Sequence, residues 1–176
     1  MAGFTHQRHV AAVLAVACVL LLVGSCTAGA SKPNIIFILA DDVGWADVSF
    51  NGGHIHTQHL DELCREGVQL RQHHVQSTCT PSRAALMTGR YSANTGLIFA
   101  MLPGSLAGLR MDQPTMPEVL SKQGYHAHMV GKWHLGHAQW QQTPVGRGFR
   151  SHVGSYMWSM EVWPCGGWQL HHAGVG

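Results

Sequence analysis

Apolar and polar positions along the chain change period several times, and each change marks an element. Asn34 to Ala40 reads NIIFILA, a continuous apolar run rich in Ile and Phe. Such a run suits a strand buried on both faces, as in a parallel sheet. Pro33 marks its start, and Asp41 and Asp42 end it abruptly. Thr57 to Glu66 reads TQHLDELCRE. Leu60, Leu63 and Cys64 share one helical face there, Gly67 is a natural stop, and Cys64 is expected to face the core as a small hydrophobe, with a disulfide as the alternative. Val68 to Val75 alternates weakly and reads as a strand. Pro81 to Thr88 opens with Pro in a first helical turn and closes at Gly89. Ile98 to Arg110, with Pro103, Gly104 and Gly108, is loop-like. Thr115 and Glu118 spell a capping box, predicting a helix to about Gln123 before Gly124. Tyr125 to Val130 alternates as a strand does. Strand, helix, strand, helix, helix, strand is the order of an α/β architecture with a largely parallel sheet.

The N-terminus follows another logic. Val10 to Val23 is wholly apolar, but shorter than the roughly 20 residues a membrane helix needs. Arg8 precedes it, and the small residues Ala28, Gly29 and Ala30 follow. Residues 1–30 therefore read as a secretory signal peptide cleaved after Ala30. An uncleaved anchor, or a lipidated Cys26, are the alternatives. Cys64, Cys79 and Cys165 would remain, an odd number for a secreted chain, so at least one is unpaired or special.

Composition narrows the class of function. The 176 residues are 45% hydrophobic and 11% charged, which excludes a disordered polar chain. A net charge of +2 gives no electrostatic footprint for nucleic acid. Fourteen His make the charge sensitive to acid. Of these, His54, His56, His59, His73 and His74 match no zinc spacing, and read as surface or loop residues. No N-x-S/T sequon occurs.

Three blocks carry chemistry. Asp41 and Asp42 place two adjacent carboxylates at the end of a predicted strand, where open α/β sheets bind ligands. A hard cation, Ca²⁺ or Mg²⁺, would relieve their repulsion. The alternative is one capping Asp and one solvated Asp. CTPSRAALMTGR, residues 79–90, sets Cys79 just before a helix N-terminus with Arg83 four residues on. Free amides and the helix dipole favour anions there. The alternative is a capped helix with a buried Cys. GKWHLG, residues 131–136, follows the Tyr125–Val130 strand. On extended chain Lys132 and His134 would point to the same side, a cation beside a titratable imidazole. The alternative is a basic loop plugged by an aromatic. Trp45 and Trp133 beside these blocks are expected to pack.

Together the blocks resemble the formylglycine-dependent sulfatases. CTPSR extended through Thr88-Gly89-Arg90 is similar to the sulfatase signature, KPNIIFILADDVGWADV to the family's first strand and metal turn, and GKWHLG to its third active-site block. All three stand in the family's order, and their tone is closest to arylsulfatase B-like enzymes. The resemblance implies the N-terminal part of an alkaline-phosphatase-like sandwich with a largely parallel central sheet, incomplete in this chain. It implies a sulfuric ester hydrolase acting on sulfated glycosaminoglycan sugars or aryl sulfates. Asp41, Asp42 and the residue at Cys79 would bind one Ca²⁺. Cys79 would become the formylglycine whose hydrate attacks sulfur. Arg83 would hold that hydrate, Lys132 would contact the sulfate and the nucleophile, and His134 would assist by hydrogen bonding or by taking a proton. A formylglycine-generating enzyme would be the maturation partner, and the destination lysosomal or extracellular, with no stable membrane insertion.

The family also carries a later His, an Asp-Asn pair and another Lys, and no matching blocks occur here. The expected organisation is a signal at 1–30, part of a catalytic domain at 31–156, and a divergent tail at 157–176 without helix or strand signal. Such a chain is expected to be inactive alone. The alternatives are a non-catalytic secreted isoform or binding protein, and a related hydrolase of phosphate or phosphonate esters. The intact CTPSR and GKWHLG blocks argue against the last.

Overall fold

The computed structural model describes residues 32–157 and the backbone of residues 169–172. The expected signal peptide, Cys18, Cys26, Cys165 and most of the tail lie outside the described residues. The chain divides into two units, one ending at Ala40 and the other starting at Asp41.

In the first unit, residues 32–40 form no strand, and their side chains are exposed, Ile36 at 86%. This corrects the expected buried strand at Asn34–Ala40. Periodicity detects a run suited to burial, but a strand exists only by pairing, and no ladder is assigned to this run.

In the second unit, two 3₁₀ turns, Trp45–Asp47 and Ser49–Asn51, lead to α1, Gln58–Glu66. The Ser49 hydroxyl donates to Asp61 at 2.7 Å, and the Thr57 hydroxyl to the same carboxylate at 3.2 Å, which ties the turns to the first turn of α1. No residue of α1 is buried. Leu63 is 64% exposed and Cys64 only half-buried, so the expected core-facing stripe is not buried in a core. Residues 68–75 form no strand, which corrects that expectation too, and Trp45 is exposed rather than packed.

The remainder is better covered. α2 spans Cys79–Thr88 and ends at Gly89 in the left-handed conformation. α3 is the single turn Ser92–Thr95, and α4 is Met116–Lys122. The Thr115 amide donates to the Glu118 carboxylate at 2.6 Å, the half of the capping box that fixes where α4 begins. β1, Ala127–Val130, pairs in parallel with β2, Phe149–Gly154, and β2 pairs antiparallel with β3, Gln169–His172. The sheet order is β1-β2-β3. One ladder is thus parallel, and backbone from the nominally patternless tail supplies the antiparallel one.

Ala84, Leu97, Met101, Leu109, Trp133, Leu135 and Phe149 form the core, with Met87, Ala127, Met129 and Tyr156 packed against it. Trp133 meets Phe149 edge-on at 6.2 Å, a contact worth about 0.5–1.5 kcal/mol beyond burial. Its indole N–H donates to the Gln142 carbonyl at 2.8 Å, so the ring is buried without an orphaned donor.

Candidate active site

GKWHLG begins where β1 ends, and main chain fixes its path. The amides of Gly131, Trp133 and His134 donate to the carbonyls of Val153, Ser155 and Tyr156 at 2.8, 2.9 and 3.0 Å. The block therefore continues the β1–β2 pairing past the strand ends. A Cβ on Gly154 (φ 156°) would lie 2.0 Å from the Gly131 carbonyl oxygen, so only glycine lets the two segments come this close.

This path delivers Lys132 to Asp41. The Lys132 ammonium donates to Asp41 Oδ2 at 2.8 Å. Arg83 Nη2 stands 3.6 Å from the same oxygen, and Arg83 Nη1 donates to the Lys132 carbonyl. Arg83 lies one turn along α2 from Cys79, on the same helix face. Three residues distant in sequence thus share one oxygen. The hydrogen bond from Lys132 holds the Asp41 carboxyl below the usual carboxylate range, with the charges of Lys132 and Arg83 acting in the same sense against partial burial. The Cys79 thiol is free and half-buried at the first position of α2.

His134 departs from its expected geometry. Its φ is 58°, so the chain is not extended through it, and the same-side reasoning for Lys132 and His134 does not hold. Its ring is fully buried, and Nε2 lies 2.9 Å from the Met101 carbonyl. A carbonyl only accepts, so Nε2 carries the proton and Nδ1 is bare. Nδ1 has no hydrogen-bond partner among the described residues. Burial pushes the His134 pKa down, and the charges of Lys132 and Arg83 add to this, against the Met101 hydrogen bond and Asp41. The imidazole is therefore neutral at neutral pH. Thr80, beside Cys79, closes a ring around it: its hydroxyl donates to the His134 carbonyl at 3.2 Å and accepts from the Met101 amide at 3.1 Å.

Asp42 stands next to Asp41 at φ 56°, without an ion pair or hydrogen bond among the described residues. Oxygen-only donors from two adjacent carboxylates suit a hard cation. No three His, Cys, Asp or Glu side chains converge among the described residues, whereas calcium takes 6–8 oxygens. The groups around Asp41 are cations, Lys132 at 2.8 Å and Arg83 at 3.6 Å from its Oδ2. The five histidines of the His-rich stretches are exposed, and among the described residues they gather no metal-binding cluster.

Sequence reasoning missed Arg147. It is 1% exposed, pairs with Glu118 at 3.0 Å, and donates to the carbonyls of Leu109, Arg110 and Gln113. The Thr115 hydroxyl donates to the Arg147 carbonyl at 2.8 Å. One side chain thus ties the 109–113 loop and the start of α4 to the turn before β2. Desolvation raises the Glu118 pKa, but the hydrogen bonds from Arg147 and Thr115 outweigh it, and the carboxyl ends below its ordinary value.

The sulfatase family profile matches residues 33–169. The chain belongs to the sulfatase family. It is 46% identical over 134 residues to mouse arylsulfatase J, covering 76% of this chain and 22% of that protein. It is 40% identical over 142 residues to dog arylsulfatase G, covering 78% and 26% respectively. The solved structure of Ps i-CgsB, also solved in complex with k-i-k-neocarrahexaose, superposes with a TM-score of 0.69 at 40% identity, covering 73% of this chain and 29% of that one. The chain thus spans about a quarter of the length of these relatives. Its fold is part of the alkaline-phosphatase-like domain of sulfatases, as the expected fold class had it.

Proposed function

We propose that this sulfatase chain contributes the nucleophile and the anion-holding half of a centre that hydrolyses sulfuric esters. The observation that carries the reading is the pair of cations, Arg83 and Lys132, converging on one oxygen site beside the helix that starts at Cys79. A sulfo group is a tetrahedral monoanion whose hydrolysis needs fixed cations and an activated oxygen nucleophile.

Cys79 would be oxidised to formylglycine by a formylglycine-generating enzyme. One hydroxyl of the hydrated aldehyde attacks sulfur, and the ester oxygen leaves with a proton as the alcohol. The second hydroxyl then loses its proton, the aldehyde reforms, and sulfate departs. Arg83 steadies the hydrate, and Lys132 contacts the sulfo group and the nucleophile. His134, neutral with a bare Nδ1, suits the proton acceptor in the second step. Asp41 and Asp42 would hold a Ca²⁺ ion, which when bound would add charge stabilisation for the sulfo oxygens.

The substrate class is a sulfated sugar, glycosaminoglycan units included, or an aryl sulfate. Oligosaccharide bound to Ps i-CgsB and the arylsulfatase relatives support that range. The finer likeness to arylsulfatase B-like enzymes rests on the tone of the three blocks. We place the protein in the secretory pathway, lysosomal or extracellular. A second reading, a non-catalytic binder of sulfated glycans, would need only the two cations Arg83 and Lys132.

Cys79→Ser separates the two. In the protein that carries this segment and turns over a chromogenic aryl sulfate, the variant loses on the order of 10³-fold or more in kcat while keeping its circular dichroism. Undiminished turnover sinks the nucleophile assignment. Absence of turnover in the unsubstituted protein, with glycan binding retained, selects the binder.

A further inference from the structure

Thr80 is a fully buried polar side chain with no part in the reaction itself. Its hydroxyl makes two bonds of opposite sense: it donates to the His134 carbonyl at 3.2 Å and accepts from the Met101 amide at 3.1 Å. Among small side chains, only a hydroxyl donates and accepts through one atom. Both partners are buried main-chain groups, which are costly to leave unpaired. Both also belong to the surroundings of one imidazole. The first is the carbonyl of His134 itself. The second is the amide of the residue whose carbonyl faces His134 Nε2 at 2.9 Å. Thr80 thus holds His134 by its backbone and, through Met101, by its ring.

His134 needs such a hold. Its φ of 58° is a conformation that side chains other than glycine rarely adopt, and it persists only where the surroundings over-determine it. A neutral imidazole also has two tautomers, and only the one with its proton on Nε2 leaves Nδ1 able to accept. The Met101 carbonyl selects that tautomer, so whatever fixes the Met101 main chain fixes the acceptor. Thr80 follows Cys79 directly in the first turn of α2, so the same link joins His134 to the turn that bears the nucleophile.

We infer that Thr80 is a positioning residue for the proton transfer: its hydroxyl, bridging the His134 carbonyl and the Met101 amide, keeps the His134 ring turned with Nδ1 bare. This rests on the reading that His134 takes the proton in the second step. Thr80 touches no reacting atom and acts only through that ring.

The first readout is nuclear magnetic resonance of the chain with ¹⁵N-labelled histidine, His134 being assigned by its loss in His134→Gln. At neutral pH His134 should show a bare Nδ1 and an Nε2 proton that exchanges slowly with water. The Met101 amide should be protected as well. Thr80→Ser keeps the hydroxyl and should keep these signals. Thr80→Val keeps the shape and loses the hydroxyl. Its two His134 nitrogens should move toward one another as the tautomers mix, and Met101 should lose its protection. The second readout is kinetic, in the protein that carries this segment and turns over a chromogenic aryl sulfate. Thr80→Val should lower kcat on the order of 10²-fold without raising KM, and Thr80→Ser should restore it. In a His134→Gln background Thr80→Val should lower kcat no further.

His134 nitrogens unmoved by Thr80→Val overturn the positioning role, as does a full second loss on top of His134→Gln. A proton on Nδ1 in the unsubstituted chain overturns it too, and that measurement stands even where Thr80→Val fails to fold. Undiminished turnover by His134→Gln, with the ring signals as expected, overturns the inference through the reading beneath it: Thr80 would then hold a histidine that takes no proton.

Discussion

α1 and α2 are helices of similar length in the same unit, with opposite relations to the core. α1 carries the cleaner apolar stripe, Leu60, Leu63 and Cys64, and buries none of its residues. α2 has little stripe, and buries Thr80, Pro81, Arg83 and Ala84. The difference teaches that periodicity reports what a helix is suited to bury, while the fold decides what it meets. α2 is held by polar and charged anchors: Thr80 to His134 and Met101, Arg83 to Lys132 and Asp41.

The contrast is open to test, and the largest effect is expected at Arg147. Arg147→Met leaves Glu118 and three carbonyls without their shared cation, and should cost about 3–5 kcal/mol in urea unfolding. A loss below 1 kcal/mol would show the clamp to be ornamental. Next comes a matched pair of truncations. Leu135→Ala, at a fully buried site, should cost about 2–5 kcal/mol, and Leu63→Ala on α1 less than about 0.5. Equal costs would mean that α1 has a partner in solution.

The smallest effect is one of pH. His134 has a lowered pKa when folded, so below about pH 6.5 the unfolded chain binds the additional proton. Stability from this group is complete above that pH, and falls as pH drops toward the folded value. Asp41 and Glu118, also lowered, act only at more acid pH. The thermal midpoint should therefore decline between pH 7 and pH 5, and His134→Gln should flatten that decline. An unchanged slope in the variant would remove His134 as its source.

Much of this was legible in the residues. The capping pair Thr115 and Glu118 places α4, Gly89 ends α2, and the alternation after Tyr125 contains β1. Asp41, Arg83 and Lys132 were each singled out by block, and the structure brings them to one oxygen. The rest was hidden for physical reasons. FRSHVG looks too polar for β2, yet His152 is buried within it and bonds the Gly131 carbonyl. Arg147 reads as surface charge, because four of its acceptors are carbonyls or a carboxylate distant in sequence. The tautomer of His134 is set by the Met101 carbonyl, and a main-chain acceptor leaves no trace in side-chain identity. The Asn34–Ala40 run was read correctly as apolar, but pairing is not a property of one segment.

The contact of Gly131 with Gly154 has a consequence in exchange chemistry. Backbone against backbone has no rotamers through which to yield, and the amides of Gly131, Trp133 and His134 are committed to carbonyls just past or at the end of β2. Their hydrogens can trade with solvent deuterium only when the two segments part. Fraying of the sheet at this end and loosening of Lys132 are thus a single opening event, timed by one set of slow amides.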